Sequence, residues 1–112
     1  MIAIIGHIDV EPAERDRLVD ATVELQRSTQ SEEPGCLVYT IAADPVDAGR
    51  IRITELWESA EALDAHFRHP NFFAAGETMR SAKRFGGGAK KYRIDASADV
   101  RGPDGTATAE FG

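Results

Sequence analysis

Three histidines, His7, His66 and His69, are the side chains of this sequence best suited to moving a proton near neutrality. His66 comes one helical turn after Leu63 and just before Phe67, so a helix here puts an imidazole beside apolar groups. Two readings of His66 stand open. It is a packed histidine bonded to backbone, or it is a proton-transfer group or polar anchor at the edge of an apolar pocket. His66 and His69 are spaced three apart, which can suit a metal, but no further carboxylate or thiolate motif completes a ligand set, so no metal is expected. His7 sits in an alternating apolar segment and faces either the helices or a partner chain.

Around these lies a set of large side chains. Glu55 shares a strand face with Ile53 and Trp57. It lies at a sheet edge, or it is buried with a partner such as Arg52 or a residue of another chain. Trp57 has the size of a core residue. Tyr39, Phe67, Phe72, Phe73, Met79 and Phe85 are spaced as core positions, yet their density near His66 makes the second helical region the best lining for an apolar pocket. Gly86-Gly87-Gly88 precedes a lysine-rich strand and not a helix, so it cradles no phosphate. There is no Gly-x-Ser-x-Gly elbow. Cys36 packs as a small hydrophobe after a Pro-Gly turn. No flavin or nicotinamide motif is present, and no cofactor is expected.

The elements that must position these groups follow from periodicity. Ile2 to Asp9 alternates as a strand, with a gap at Gly6 that marks a bend or a close backbone approach. Glu11-Pro12 opens a helix that runs toward Pro34-Gly35, with Leu18, Ala21, Thr22 and Leu25 at helical spacing. Cys36 to Ala42 is a second strand with Leu37, Tyr39 and Ile41 on one face, and Arg50 to Trp57 a third. Ser59 caps a helix that Pro70 interrupts, and a second helical piece extends to about Phe85. The glycine triplet breaks the chain, and Lys90 to Ala96 forms a last strand with Tyr92 and Ile94 inward. The order predicts an α+β, ferredoxin-like βαββαβ split sandwich over residues 1–96. Residues 97–112 read as a flexible tail, or as an arm ordered on a partner.

Composition bounds the partners. A chain of 112 residues is one domain. Its net charge of −6 argues against nucleic acid and against an anionic membrane surface. No apolar run approaches a membrane span and no leader is visible, and with a single cysteine the cytoplasm is expected. The first strand is apolar on both faces, Ile2, Ile4 and Ile8 against Ala3 and Ile5. One set of helices covers only one face, so a homodimer is expected.

Two stretches together carry a resemblance. They are Pro34-Gly35-Cys36-Leu37-Val38-Tyr39 leading to Asp44-Pro45, and Glu55-Leu56-Trp57-Glu58-Ser59 with Glu61-Ala62-Leu63, His66 and Pro70-Asn71-Phe72. Over residues 1 to about 95 the chain resembles the antibiotic biosynthesis monooxygenase family, quinol monooxygenases included. The resemblance implies a dimeric α+β barrel and oxidation of a small flat aromatic quinol or anthrone by dioxygen, without cofactor. It makes His66 the candidate catalytic group, with Trp57, Tyr39, Phe67, Phe72, Phe73, Met79 and His7 as candidate substrate-binding residues. Haem-degrading members of the same superfamily place a ligating histidine where Gly76 stands here and an asparagine where Gly6-His7 stands, and both departures count against haem. A second function is implied by other relatives: a dimer of this fold that binds a small molecule without turnover.

Overall fold

The alternation of the first segment becomes β1 (Ile2–Val10), with Ile4, Ile8 and Val10 buried and Ile5 55% exposed on the opposite face. This computed structural model describes Met1–Gly112. Pro12 begins α1 (Pro12–Ala21), where its missing N–H costs nothing. The single helix expected up to Pro34 is two, α1 and α2 (Val23–Glu32), joined at Thr22. The Thr22 hydroxyl donates to the Val19 carbonyl (2.8 Å) and accepts from Gln26 Nε2 (3.1 Å). Such back-bonding competes with the helical ladder and bends it.

Next comes β2 (Cys36–Ala43), paired with β3 (Arg50–Trp57). A register shift between Cys36 and Val38 sets two residues of β2 against one of β3. It leaves Leu37 50% exposed, against the expectation that it shares an inward face with Tyr39 and Ile41, both buried. The loop between these strands is held by Asp44, which accepts from the Asp47 and Val46 amides and from Arg52 Nε. Those bonds hold the Asp44 carboxyl well below the usual carboxylate range.

Ser59 caps α3 (Ala60–Phe67) by accepting from the Ala62 amide, as its position predicts. His69 caps α4 (Pro70–Arg80), its Nδ1 accepting from the Asn71 amide at 3.0 Å. α4 stops at Arg80, short of Phe85, because β4 (Arg84–Arg93) begins there. The glycine triplet therefore does not break the chain but lies inside a strand. Gly86, Gly87 and Gly88 pair with Asp9, Ile8 and His7 of β1. A Cβ at Gly87 would fall 2.2 Å from the His7 carbonyl oxygen, and one at Gly6 would fall 2.6 Å from the Ala89 Cβ. The two strands approach too closely there for side chains. Tyr92 points outward, 49% exposed, contrary to the inward expectation, while Ile94 is half-buried.

All pairings are antiparallel, in the order β2-β3-β1-β4. The fold is the α+β, ferredoxin-like βαββαβ sandwich. The helices cover one face, and the core beneath them includes Ile4, Ile8, Leu18, Ile41, Ile51 and Leu63. The other face, with Ala3, Ile5 and His7 of β1, carries no helix. Beyond β4 the Ile94 amide donates to the Met1 carbonyl, and residues 100–108 fold on themselves through a bridge between Arg101 and Ala107. No helix is long and apolar enough to cross a membrane.

Candidate active site

Three segments far apart in sequence meet under α3 and α4. The first is the end of α2. Pro34 forces the residue before it out of the helical region, and Glu33 adopts φ −91°, ψ 115°. The following Gly35, at φ +83°, turns the chain against α3, where a Cβ would meet that of Ala62 at 2.5 Å. Glu33 is thereby swung beneath α3 and buried. The second segment is β3, whose alternation sets Glu55 and Trp57 side by side on the helix-covered face. The third is α3, which lays Leu63 and His66 against the sheet.

His66 is 1% exposed and lies between two carboxylates. Its Nδ1 is 2.7 Å from Glu33 Oε1, and its Nε2 is 3.9 Å from Glu55 Oε1. Burial raises the Glu33 carboxyl, but hydrogen bonds from His66 and Asn71 outweigh it and hold the group below its ordinary value. Glu33 is thus ionised, and Nδ1–H is the donor in that bond. This fixes the imidazole orientation and leaves Nε2 toward Glu55. Asn71 Nδ2 donates to Glu33 Oε2 at 3.2 Å and to Ser28 Oγ at 3.0 Å, tying α2 to α4. Glu55 differs. Burial pushes its carboxyl up, against the opposing bond donated by Trp57 Nε1 at 2.9 Å. Two glutamates on one imidazole are therefore held with opposite proton preferences.

Aromatic rings surround the imidazole. Ring centroids lie 4.6 Å away for Trp57, 5.3 Å for Tyr39, 5.5 Å for Phe72 and 5.9 Å for Phe67. Burial and the two glutamate charges push the Tyr39 phenol far above its ordinary range. Burial likewise pushes the Cys36 thiol up to about 11. Two clefts open beside this cluster. One, of about 220 Å³, reaches Tyr39, Ile53, Glu55, Phe72 and Met79, with Arg80 and Arg84 on its border. The other, of about 340 Å³, reaches Ile4, Ile53, Glu55, Phe67, Phe72 and Lys91. Glu55, Ile53 and Phe72 border both.

The structure thus gathers Tyr39, Trp57, His66, Phe67 and Phe72, and brings Met79 to the first cleft. It does not bring Phe73, which is 58% exposed and whose ring packs edge-on against Phe72. It does not bring His7, which lies on the face of the sheet away from the helices, 3.6 Å from Asp9. Glu55 is buried with Trp57 and His66, and not with Arg52, which pairs with Asp44 across the sheet. Sequence reasoning missed Glu33. A signal existed: an acidic residue at a helix C-terminus opposes the dipole and needs a compensating partner. No three of the His, Cys, Asp and Glu side chains are arranged to hold a metal ion.

Residues 1–78 match the family model described as antibiotic biosynthesis monooxygenase, a span that includes Glu33, Glu55 and His66. Solved structures bearing that family's name superpose on the chain. One from Deinococcus radiodurans is 22% identical, covers 91% of this chain and 100% of its own, and has a TM-score of 0.79. One from Caulobacter crescentus is 27% identical over 87% of this chain and 90% of its own, with a TM-score of 0.74. One from Chloroflexus aurantiacus is 28% identical over 86% and 96%, with a TM-score of 0.60. No curated protein matches the chain.

Proposed function

The chain belongs to the antibiotic biosynthesis monooxygenase family, and from that premise we propose that it oxidises a small, flat, hydroxylated aromatic compound with dioxygen, using no flavin, haem or metal. The observation that carries this reading is the buried Glu33–His66–Glu55 chain of carboxylate, imidazole and carboxylate beside two apolar clefts. Uncatalysed oxidation of a quinol or anthrone is held back by the scarcity of its electron-rich anion. A buried proton acceptor beside the ring raises the share of that anion, and aromatic walls keep it oriented and dry.

The chemistry balances without an added reductant. An anthrone-type substrate loses a proton to the protein, and its anion gives one electron to dioxygen. Recombination forms a peroxide at the ring carbon. The peroxide loses water, with the proton returned, and leaves a carbonyl. One oxygen atom stays in the product and the other departs as water. In this scheme His66 belongs to the proton-transfer chain, Tyr39, Phe67, Phe72 and Met79 hold the ring, and Trp57 backs the imidazole. Arg80, Arg84 and Lys91 at the cleft borders favour the anion electrostatically.

An oxygen electrode with a panel of hydroquinones, naphthols and anthrones tests this. Oxygen uptake proportional to protein, with a quinone product, is the expected result. Saturable binding without uptake would assign the chain to small-molecule binding instead.

A further inference from the structure

Resting on that reading, we infer that Glu55 is the residue that touches the substrate hydroxyl and accepts its proton, while His66 is a positioning residue behind it, oriented by Glu33. Access to the clefts separates the two residues. His66 is 1% exposed, lies under Phe67 and Phe72, and borders neither cleft. Glu55 borders both. A proton can pass directly from substrate only to a group the substrate reaches, and geometry ranks ahead of basicity in naming that group.

The two oxygens of Glu55 have different work. Oε1 accepts the Trp57 indole N–H at 2.9 Å and faces His66 Nε2 at 3.9 Å. Oε2 accepts no hydrogen bond within the chain, although the side chain is 10% exposed. A carboxylate oxygen without a donor, on a side chain nine-tenths buried and beside an apolar cleft, is an acceptor awaiting a hydroxyl. A phenol laid against Phe72 and Ile53 donates to it there. As the proton arrives on Glu55, His66 stays behind it with Nε2 3.9 Å from Oε1, beyond hydrogen-bonding range, and the bond from Nδ1 to Glu33 holds the imidazole in that direction. The groups that set the charge balance are Glu33 just after α2, Cys36 and Tyr39 from β2, His66 from α3, Arg80 from α4, and Arg84, Lys90 and Lys91 from β4.

Two measurements on the full chain decide this. The first uses 4-nitrophenol, whose absorption band moves when it ionises. Bound to the wild-type protein it titrates at a pH set by its neighbours. Glu55→Gln is expected to move that pH by about one unit or more, the usual effect of a charge within hydrogen-bonding range, and Glu55→Asp to move it less. The second is oxygen uptake on a substrate the wild type turns over. Glu55→Gln is expected to lower kcat by about 10²–10⁴-fold with KM within a few-fold. His66→Gln should lower kcat less than Glu55→Gln does and shift the pH profile. Melting curves on each variant separate these effects from unfolding.

Glu55→Gln with kcat near wild type, beside a His66→Gln variant that is inactive, overturns the inference and gives proton acceptance to His66. So does a bound-probe titration that Glu55→Gln leaves unmoved. A wild-type chain that binds 4-nitrophenol but consumes no oxygen removes the monooxygenase reading alone, and the titration then decides the Glu55 contact. A wild-type chain that binds no probe removes the pocket reading and this inference with it.

Discussion

Glu33 and His66, 33 positions apart, meet through Glu33 Oε1 and His66 Nδ1 at 2.7 Å with both side chains almost wholly buried. The bond joins the end of α2 to the inner face of α3, so it serves the fold and the proton chain together. Glu33→Gln should cost about 1–3 kcal/mol, the range for disturbing a buried charged hydrogen bond. It should also slow turnover without abolishing it. Urea unfolding and oxygen uptake on the same preparation test both halves.

The two glutamates predict opposite pH slopes. Glu33 is held below its ordinary value near 4.5, so its contribution is present above that pH and fades as acid protonates the folded protein. Glu55 is held above the same ordinary value, so the folded state binds its proton more tightly than the unfolded state. Its ionisation therefore subtracts stability as pH rises from about 4.5 through its folded value. Relative to wild type, Glu55→Gln should gain in melting temperature as pH is raised from about 4 to about 8, and Glu33→Gln should lose. Parallel curves for the two variants would contradict the assignment.

The sheet face without helices carries Ile5 at 55%, Val38 at 38% and Tyr92 at 49% exposure. Apolar strand surface of this kind is normally covered. A homodimer formed through this face is expected, sedimenting at twice the 12.2 kDa chain mass at micromolar concentration. Ile5→Glu, in the middle of that face, should shift the equilibrium to monomer.

A chain ending at Ala96 should melt within a few degrees of the full chain. Val100 and Phe111, the large apolar residues past that point, are 72% and 66% exposed. A large loss would show that the segment is exchanged between protomers.

Gly87→Ala should destabilise by about 1–3 kcal/mol. Its φ is +110°, and a Cβ there would strike the His7 carbonyl oxygen at 2.2 Å. Gly88→Ala, with nothing within 4 Å of the added carbon, is the control and should be mild.

The first three strands, the cap at Ser59, the helix start at Pro12 and the inward turn of His66 were legible because each depends on neighbours a few positions away, whereas the last strand, expected over Lys90 to Ala96, spans Arg84–Arg93. Glu55 could be placed on the correct face by alternation, but its partner could not, since nothing local distinguishes Arg52 from His66. Glu33 was hidden because its role depends on a turn and a helix far along the chain. Leu37 was misplaced by one inserted residue, which alternation cannot foresee. The glycine triplet read as a break since glycine weakens isolated strands, yet it pairs with β1, and at Gly87 the neighbouring backbone occupies the space a side chain would need.

The hydrogen bond from Trp57 to Glu55 has a consequence for observation. Trp57 is the only tryptophan of the chain, and its indole N–H is committed to the carboxylate assigned to proton acceptance. Its fluorescence and its indole proton resonance therefore form an isolated, unlabelled signal from the centre of the site. The protonation state of Glu55, and the arrival of a ligand on its other oxygen, can be followed in solution through a chromophore the protein already carries.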